Sequence, residues 1–262
     1  MKKGRCKHTK KDCAIKVIEK DSCSDLELQQ FAAEVDILQG LSHPNIISLV
    51  AHFDELQQLY MVFEIMSGGD LFERLEHVGT FDEVQARGIC ASMLSAISFV
   101  HSKKIAHRDI KPENVLFSSY REDAVVKICD FGFAKQESVD QPASFTTMCG
   151  TRSYIAPEIL LSQRYGLKVD MWSIGVTTYM LLCGYEPFHC ADVDEKEDED
   201  RIIPQLIIKG SYSFEDKYWK GISIDGKNLI SSLLQVDPCH RHSATRAKDH
   251  KWFSKEFAMT EE

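Results

Sequence analysis

Eight consecutive residues, His107-Arg108-Asp109-Ile110-Lys111-Pro112-Glu113-Asn114, bring an acid, a base and an amide into one short stretch. A carboxylate at Asp109 can take a proton from a hydroxyl nucleophile. Lys111, two residues on, can neutralise charge moving onto a phosphoryl oxygen. Asn114, five residues after Asp109, offers a neutral oxygen suited to a hard cation. Sixteen residues beyond it, Asp130-Phe131-Gly132 supplies a second metal-binding carboxylate. The chemistry these types permit is proton abstraction from a hydroxyl beside a charge-neutralised phosphoryl group.

Such groups need elements to hold them. Cys13-Ala14-Ile15-Lys16-Val17-Ile18 is β-branched and reads as a strand, on which a lone Lys16 is by itself an ordinary edge lysine. Ser24-Asp25-Leu26-Glu27 is a capping box. It opens a helix with Leu28, Phe31, Val35 and Leu38 as its apolar stripe, Glu34 beside that stripe and Gly40 at its end. Ile46–Phe53 and Leu59–Phe63 read as strands, the second leading into a Gly68-Gly69 turn. Helical spacing of Ile89, Met93, Ile97 and Val100 predicts the helix that carries the Asp109 loop. Val115-Leu116-Phe117 and Val125–Cys129 read as short strands flanking Ser118–Asp123. Asp170–Leu182 is apolar nearly all round, the pattern of a buried core helix.

The His107–Asn114 stretch with Asp130-Phe131-Gly132 behind it resembles the catalytic loop and DFG motif of protein kinases. The resemblance covers residues 1 to about 257. It implies an α+β, two-lobed kinase fold: a small, mostly β lobe over 1–66 with a truncated start, a mainly helical large lobe over 67–257, and a polar tail at 258–262. Implied with it are ATP and Mg2+ as cofactors. Asp109 would then orient and deprotonate a hydroxyl, Lys111 would stabilise the transferring group, and Asn114 and Asp130 would hold magnesium. Lys16 paired with Glu34 would position the α- and β-phosphates. Phe63 would be the gatekeeper of the nucleotide pocket, Glu64 and Met66 would offer main-chain bonds to adenine, and Leu116 would line the same pocket. Asp70 would reach the ribose or, with Glu113, a substrate arginine. Met180 stands where some relatives carry a glutamate that reads a second arginine. Asp170 would bond the catalytic-loop backbone, and Arg241 would pair with Glu158 of Ala156-Pro157-Glu158.

Lys111 and Thr151, the latter facing the catalytic aspartate in relatives, fit serine/threonine rather than tyrosine kinases. The runs Ile105–Asn114, Gly132-Phe133-Ala134-Lys135 and Leu182-Cys183-Gly184-Tyr185 resemble the calcium/calmodulin-dependent group, including MAPK-activated protein kinases. Thr147, four residues before Thr151, resembles the phosphorylated activation-loop threonine of that group. Arg108 and Lys135 are the cations expected to gather its phosphate and, until then, to stay unpaired. Protein substrates and an upstream activating kinase are the partners this implies. No residue pattern identifies the physiological substrate or a calcium sensor such as calmodulin.

Composition narrows the rest. Of the net charge of −9, the run Asp192–Asp200 holds −6, so the acidity is expected to belong to one solvated loop. No basic stripe points to nucleic acid, and the longest apolar run is too short to span a membrane. Nine cysteines without a C-x-x-C pair favour free thiols and a cytoplasmic or nuclear setting. Gly221–Asn228 nearly spells a phosphate-binding loop, but Asn228 lacks the needed hydroxyl. His240 and His242 have no third ligand at metal spacing and read as surface residues. The sequence contains no G-x-G at all. Counting back from Lys16, the first strand and glycine-rich loop of a kinase are therefore expected to be missing from this chain. The alternative to an active enzyme is a catalytically weak pseudokinase acting as a binding module. Against it stand Lys16, Glu34, Asp109, Asn114 and Asp130 together.

Overall fold

Four antiparallel strands form the first layer: β1 (Lys2–Arg5), β2 (Asp12–Glu19), β3 (Leu49–Asp54) and β4 (Gln58–Glu64), in the order β1-β2-β4-β3. The computed structural model describes residues 1–137, 145–147, 149–150, 152–189 and 196–254. Leu59, Met61 and Phe63 alternate inward along β4, the period expected of a strand with one buried face. The register sets Lys16 opposite Met61 and Ala14 opposite Phe63. Helix α1 (Asp25–Gln39), between β2 and β3 in sequence, begins at the predicted capping box, with Ser24 and Glu27 bonding reciprocally. Its buried stripe is Phe31, Val35 and Leu38, and Glu34 shares that face. Gly40 ends the helix in the right-handed region (φ −82°), so its freedom to turn left-handed is not used.

The helical part starts with α2 (Leu71–Val78) and α3 (Glu83–Ser102), the latter burying Ile89, Met93, Ile97 and Val100. Short pairs follow. β5 (Ile105–Ala106) runs against β8 (Lys135–Gln136), and β6 (Val115–Phe117) against β7 (Val126–Ile128). Ile46 does not open β3 as expected. It bridges to Ile128 of β7 and so stitches the sheet layer to the helical layer. Beyond lie α4 (Pro157–Leu160), α5 (Val169–Cys183), α6 (Lys196–Lys209), α7 (Asp216–Trp219), α8 (Ile224–Leu233) and α9 (Ala244–Lys248).

Every residue of α5 is buried. Its hydroxyls are bonded to main-chain carbonyls: Ser173 donates to that of Tyr154, and Thr177 and Thr178 donate one turn back, while the Trp172 indole N–H is buried without a partner among the described residues. The acidic run is not wholly a loop. Residues 190–195 lie outside the described residues, but Lys196–Asp200 is already the first part of α6. Glu and Lys are good helix formers. Among the described residues no helix is long and apolar enough to cross a membrane.

Candidate active site

The loop 107–114 is held from below. Asp170, in the first turn of α5 and fully buried, accepts from the His107 N–H at 2.9 Å, the Arg108 N–H at 2.8 Å and His101 Nε2 at 2.8 Å. Burial alone would raise this carboxyl, but its donors hold it below the ordinary aspartate range. Arg108 sits at φ 68°, a left-handed conformation that costs a non-glycine residue about 1–2 kcal/mol. Its bond to a buried carboxylate offsets that strain and aims the next residue, Asp109, at the cleft.

Asp109 is 5% exposed, with Lys111 Nζ 3.1 Å from its Oδ2. Asn114 Nδ2 donates to the same Oδ2 at 3.0 Å and to the Asp109 carbonyl at 2.8 Å. The amide nitrogen is thereby committed, and the amide oxygen is what Asn114 has left to offer a ligand. One carboxylate oxygen of Asp109 thus collects a cation and an amide.

A cleft of about 540 Å³ opens between the sheet and the β6–β7 hairpin. Lys16, Glu34, Phe63, Glu64, Met66, Asn114, Leu116 and Asp130 all line it, with Ala14 and Cys129. Lys16 Nζ lies 2.7 Å from Glu34 Oε2. Phe131 is fully buried and packs edge-on against His107 at 4.7 Å, leaving Asp130 on the cleft side. A Cβ at Gly132 would stand 3.2 Å from Asp130 Oδ1 and 3.7 Å from Glu34 Oε2, so a larger residue would crowd both carboxylates. Burial first, then the charges of Asp130, Asp70 and Glu34, push the Cys129 thiol up to about 12, which leaves it inert at neutral pH.

The cleft's volume suits a nucleotide-sized ligand, and its donors are hard oxygens. Among the described residues no three His, Cys, Asp or Glu come together as a metal cluster. Two protein oxygens, from Asn114 and Asp130, fit a magnesium ion that fills its remaining positions with phosphate and water.

Other expected residues are held by other contacts or lie outside the cleft. The Glu64 carboxylate is engaged by Lys127 Nζ at 2.6 Å and the Ser48 N–H at 2.8 Å. Asp70 and Glu113 are outside the cleft lining. Asp70 caps α2, accepting from the Glu73 N–H at 2.8 Å, and Glu113 is exposed on the turn Pro112–Asn114. Thr151 lies outside the described residues. Arg241 and Glu158 do pair, both buried.

The expectation that Arg108 and Lys135 stay unpaired is corrected. Arg108 Nε donates to the Phe133 carbonyl at 2.7 Å and Nη1 to the Tyr165 hydroxyl at 3.0 Å. Both cations also face the ring of buried Phe145, at 5.4 and 5.8 Å. The Tyr165 hydroxyl donates in turn to the Thr147 carbonyl at 2.6 Å, while Thr147 itself is exposed. A hydroxyl, a carbonyl and an aromatic face here take the places proposed for a phosphate. Tyr165, eighteen residues from Thr147, carried no local signal, and neither did Phe145 or His101. Gly226 is inside α8, whose cap is Ser223, and His240 is exposed beside Asp237. His242 is a correction, being half-buried next to His250.

A protein kinase domain model matches residues 1–253. Myosin light chain kinase A of Dictyostelium discoideum is 42% identical over 95% of this chain and 81% of its own length. Calcium/calmodulin-dependent protein kinase type 1 of Caenorhabditis briggsae is 40% identical over 94% of this chain. The type IV enzyme of Mus musculus is 38% identical over 95%. The chain spans 66% and 51% of the length of those last two. The chain belongs to the protein kinase family, in its serine/threonine, calcium/calmodulin-dependent-kinase group. That family uses ATP and a divalent metal.

Proposed function

We propose that this chain carries the machinery to move the γ-phosphoryl group of ATP onto serine or threonine hydroxyls of proteins, at arginine-containing motifs. The observation that carries the reading is the convergence of Lys111 Nζ and Asn114 Nδ2 on Asp109 Oδ2, at 3.1 and 3.0 Å. Asp109 accepts the proton of the attacking hydroxyl. Lys111, held against it, neutralises charge on the group in transit. Lys16, oriented by Glu34, binds the α- and β-phosphates, and Asn114 and Asp130 hold magnesium. Magnesium, when bound, screens the phosphate oxygens from the incoming nucleophile. Phe63, Met66 and Leu116 enclose the base. Asp70, with one oxygen committed to its helix cap, and exposed Glu113 offer carboxylates to a substrate arginine. Thr147, exposed beside Arg108, Lys135 and Phe145, is the residue an upstream kinase would phosphorylate.

The test is transfer from γ-labelled ATP to a peptide library, with nucleotide binding measured in parallel. Asp109→Asn is expected to abolish transfer and keep nucleotide binding, whereas Asp130→Asn weakens magnesium-dependent binding itself. Near-parent turnover by Asp109→Asn, or a preference for acidic or proline-directed peptides, sinks the corresponding half of the proposal. Nucleotide binding with no transfer by the parent would favour the binding-module alternative.

A further inference from the structure

The crossing from β4 to α2, residues 64–70, is tied to the β6–β7 hairpin at both ends. At one end Lys127 holds Glu64. At the other Arg74 reaches back from α2: its Nε donates to the Gly68 carbonyl at 3.1 Å and its Nη2 donates to the Ser119 carbonyl. The same guanidinium lies 3.6 Å above the Phe117 ring. Main-chain bonds run between these ends, from the Gly68 N–H to the Phe117 carbonyl at 2.9 Å and from the Phe117 N–H to the Gly69 carbonyl at 3.0 Å.

This seam has a consequence for the cleft. Met66 belongs to the crossing and Leu116 to the hairpin, and both are walls of the 540 Å³ space. Their separation is therefore set by contacts that touch no reacting group. Arg74 grips the crossing, the hairpin tip and the hairpin's aromatic ring at once. A planar fork can bond two carbonyls while stacking on a ring, and an ammonium cannot do all three. We propose that Arg74 is a positioning residue for the nucleotide base, fixing the spacing between the Met66 wall and the Leu116 wall. The proposal rests on the nucleotide reading given above.

The experiment uses the 262-residue chain, with ADP and magnesium as the probe. ADP affinity is measured by calorimetry, and amide exchange is followed at residues 67–69 and in α5 without nucleotide. Arg74→Ala is expected to lower ADP affinity about tenfold and Arg74→Lys somewhat less, the scale of one or two lost hydrogen bonds. Exchange at 67–69 should quicken in both while α5 stays protected. In transfer assays KM for ATP rises and kcat holds within about twofold, as for a loss of uniform binding. Arg121→Ala, on the same hairpin but paired with exposed Asp123, should match the parent. Parent-like affinity in Arg74→Ala overturns the proposal alone. A parent that does not bind ADP overturns the nucleotide reading and the proposal with it. Faster exchange in α5 of both variants would make Arg74 a general structural residue and equally overturn it.

Discussion

Arg241 grips Glu158 with both terminal nitrogens, at 2.8 and 2.9 Å, and both residues are buried. The same guanidinium donates to the carbonyls of Gln235 and Lys168 and lies over the Trp172 ring, so its charge is fully compensated. Glu158→Ala would strand that cation. The expected loss is about 3–5 kcal/mol in urea unfolding. Arg241→Lys, with Glu158 kept, should also destabilise, because an ammonium cannot make the paired contact. A loss under about 1 kcal/mol for either variant would mean the pair is not a structural tie.

Asp170 should make stability depend on acidity. Its folded carboxyl titrates below the ordinary value of about 3.9, so the unfolded chain takes up the proton first as pH falls. The contribution is complete above that ordinary value and is lost as pH drops toward the folded pKa. Between roughly pH 5 and 3 the parent's unfolding midpoint should decline more steeply than that of Asp170→Asn. Parallel curves would remove Asp170 as the cause.

Tyr165 gives the main chain at Thr147 an anchor that needs no phosphate. Tyr165→Phe removes the bonds to the Thr147 carbonyl and to Arg108, and should lower unphosphorylated activity several-fold, on the scale of two lost hydrogen bonds. Thr147→Ala keeps that anchor, because the contact is through its main chain. Its activity should match the parent before treatment with an activating kinase and fall behind only afterwards. Stimulation of Arg108→Ala as strong as that of the parent would exclude Arg108 as the phosphate's partner.

Gly68 should tolerate no side chain. A Cβ there would stand 2.1 Å from the Ser119 carbonyl oxygen and 2.4 Å from its carbon, backbone atoms that cannot step aside. Gly68→Ala is expected to weaken ADP binding at least as much as Arg74→Ala. Gly88→Ala, where a Cβ meets nothing within 4 Å, should be neutral or slightly stabilising. Equal ADP affinities for the two glycine variants would contradict the close-packed seam.

Much of the site was legible because its residues sit in short contiguous motifs. The loop 107–114, the Asp130 tripeptide and the capping box before Glu34 each carry their own local signal, and the period of α3 locates the loop. Strand β4 was equally plain from its alternation. What escaped depends on contacts between distant segments. Arg74 looks like any helix-surface arginine until Phe117 and Ser119 are brought beneath it. Lys135 and Arg108 looked free because the sequence does not show Phe145 folding between them. His242 read as a surface residue because nothing local shows its burial beside His250. Lys196–Asp200 read as loop because its charge density masked residues that favour helix.

The burial of α5 on every side sets how the helical layer can come apart. A helix with no solvent-facing stripe has no partial docking that leaves its apolar surface hidden, so it cannot peel away while its neighbours remain. Its amides should therefore exchange only when the whole layer opens, with the slowest rates in the molecule. Asp170 is part of that same helix, so the loop 107–114 is moored to the last element to melt. Warming short of full unfolding would then loosen the sheet layer before it disturbs the geometry around Asp109.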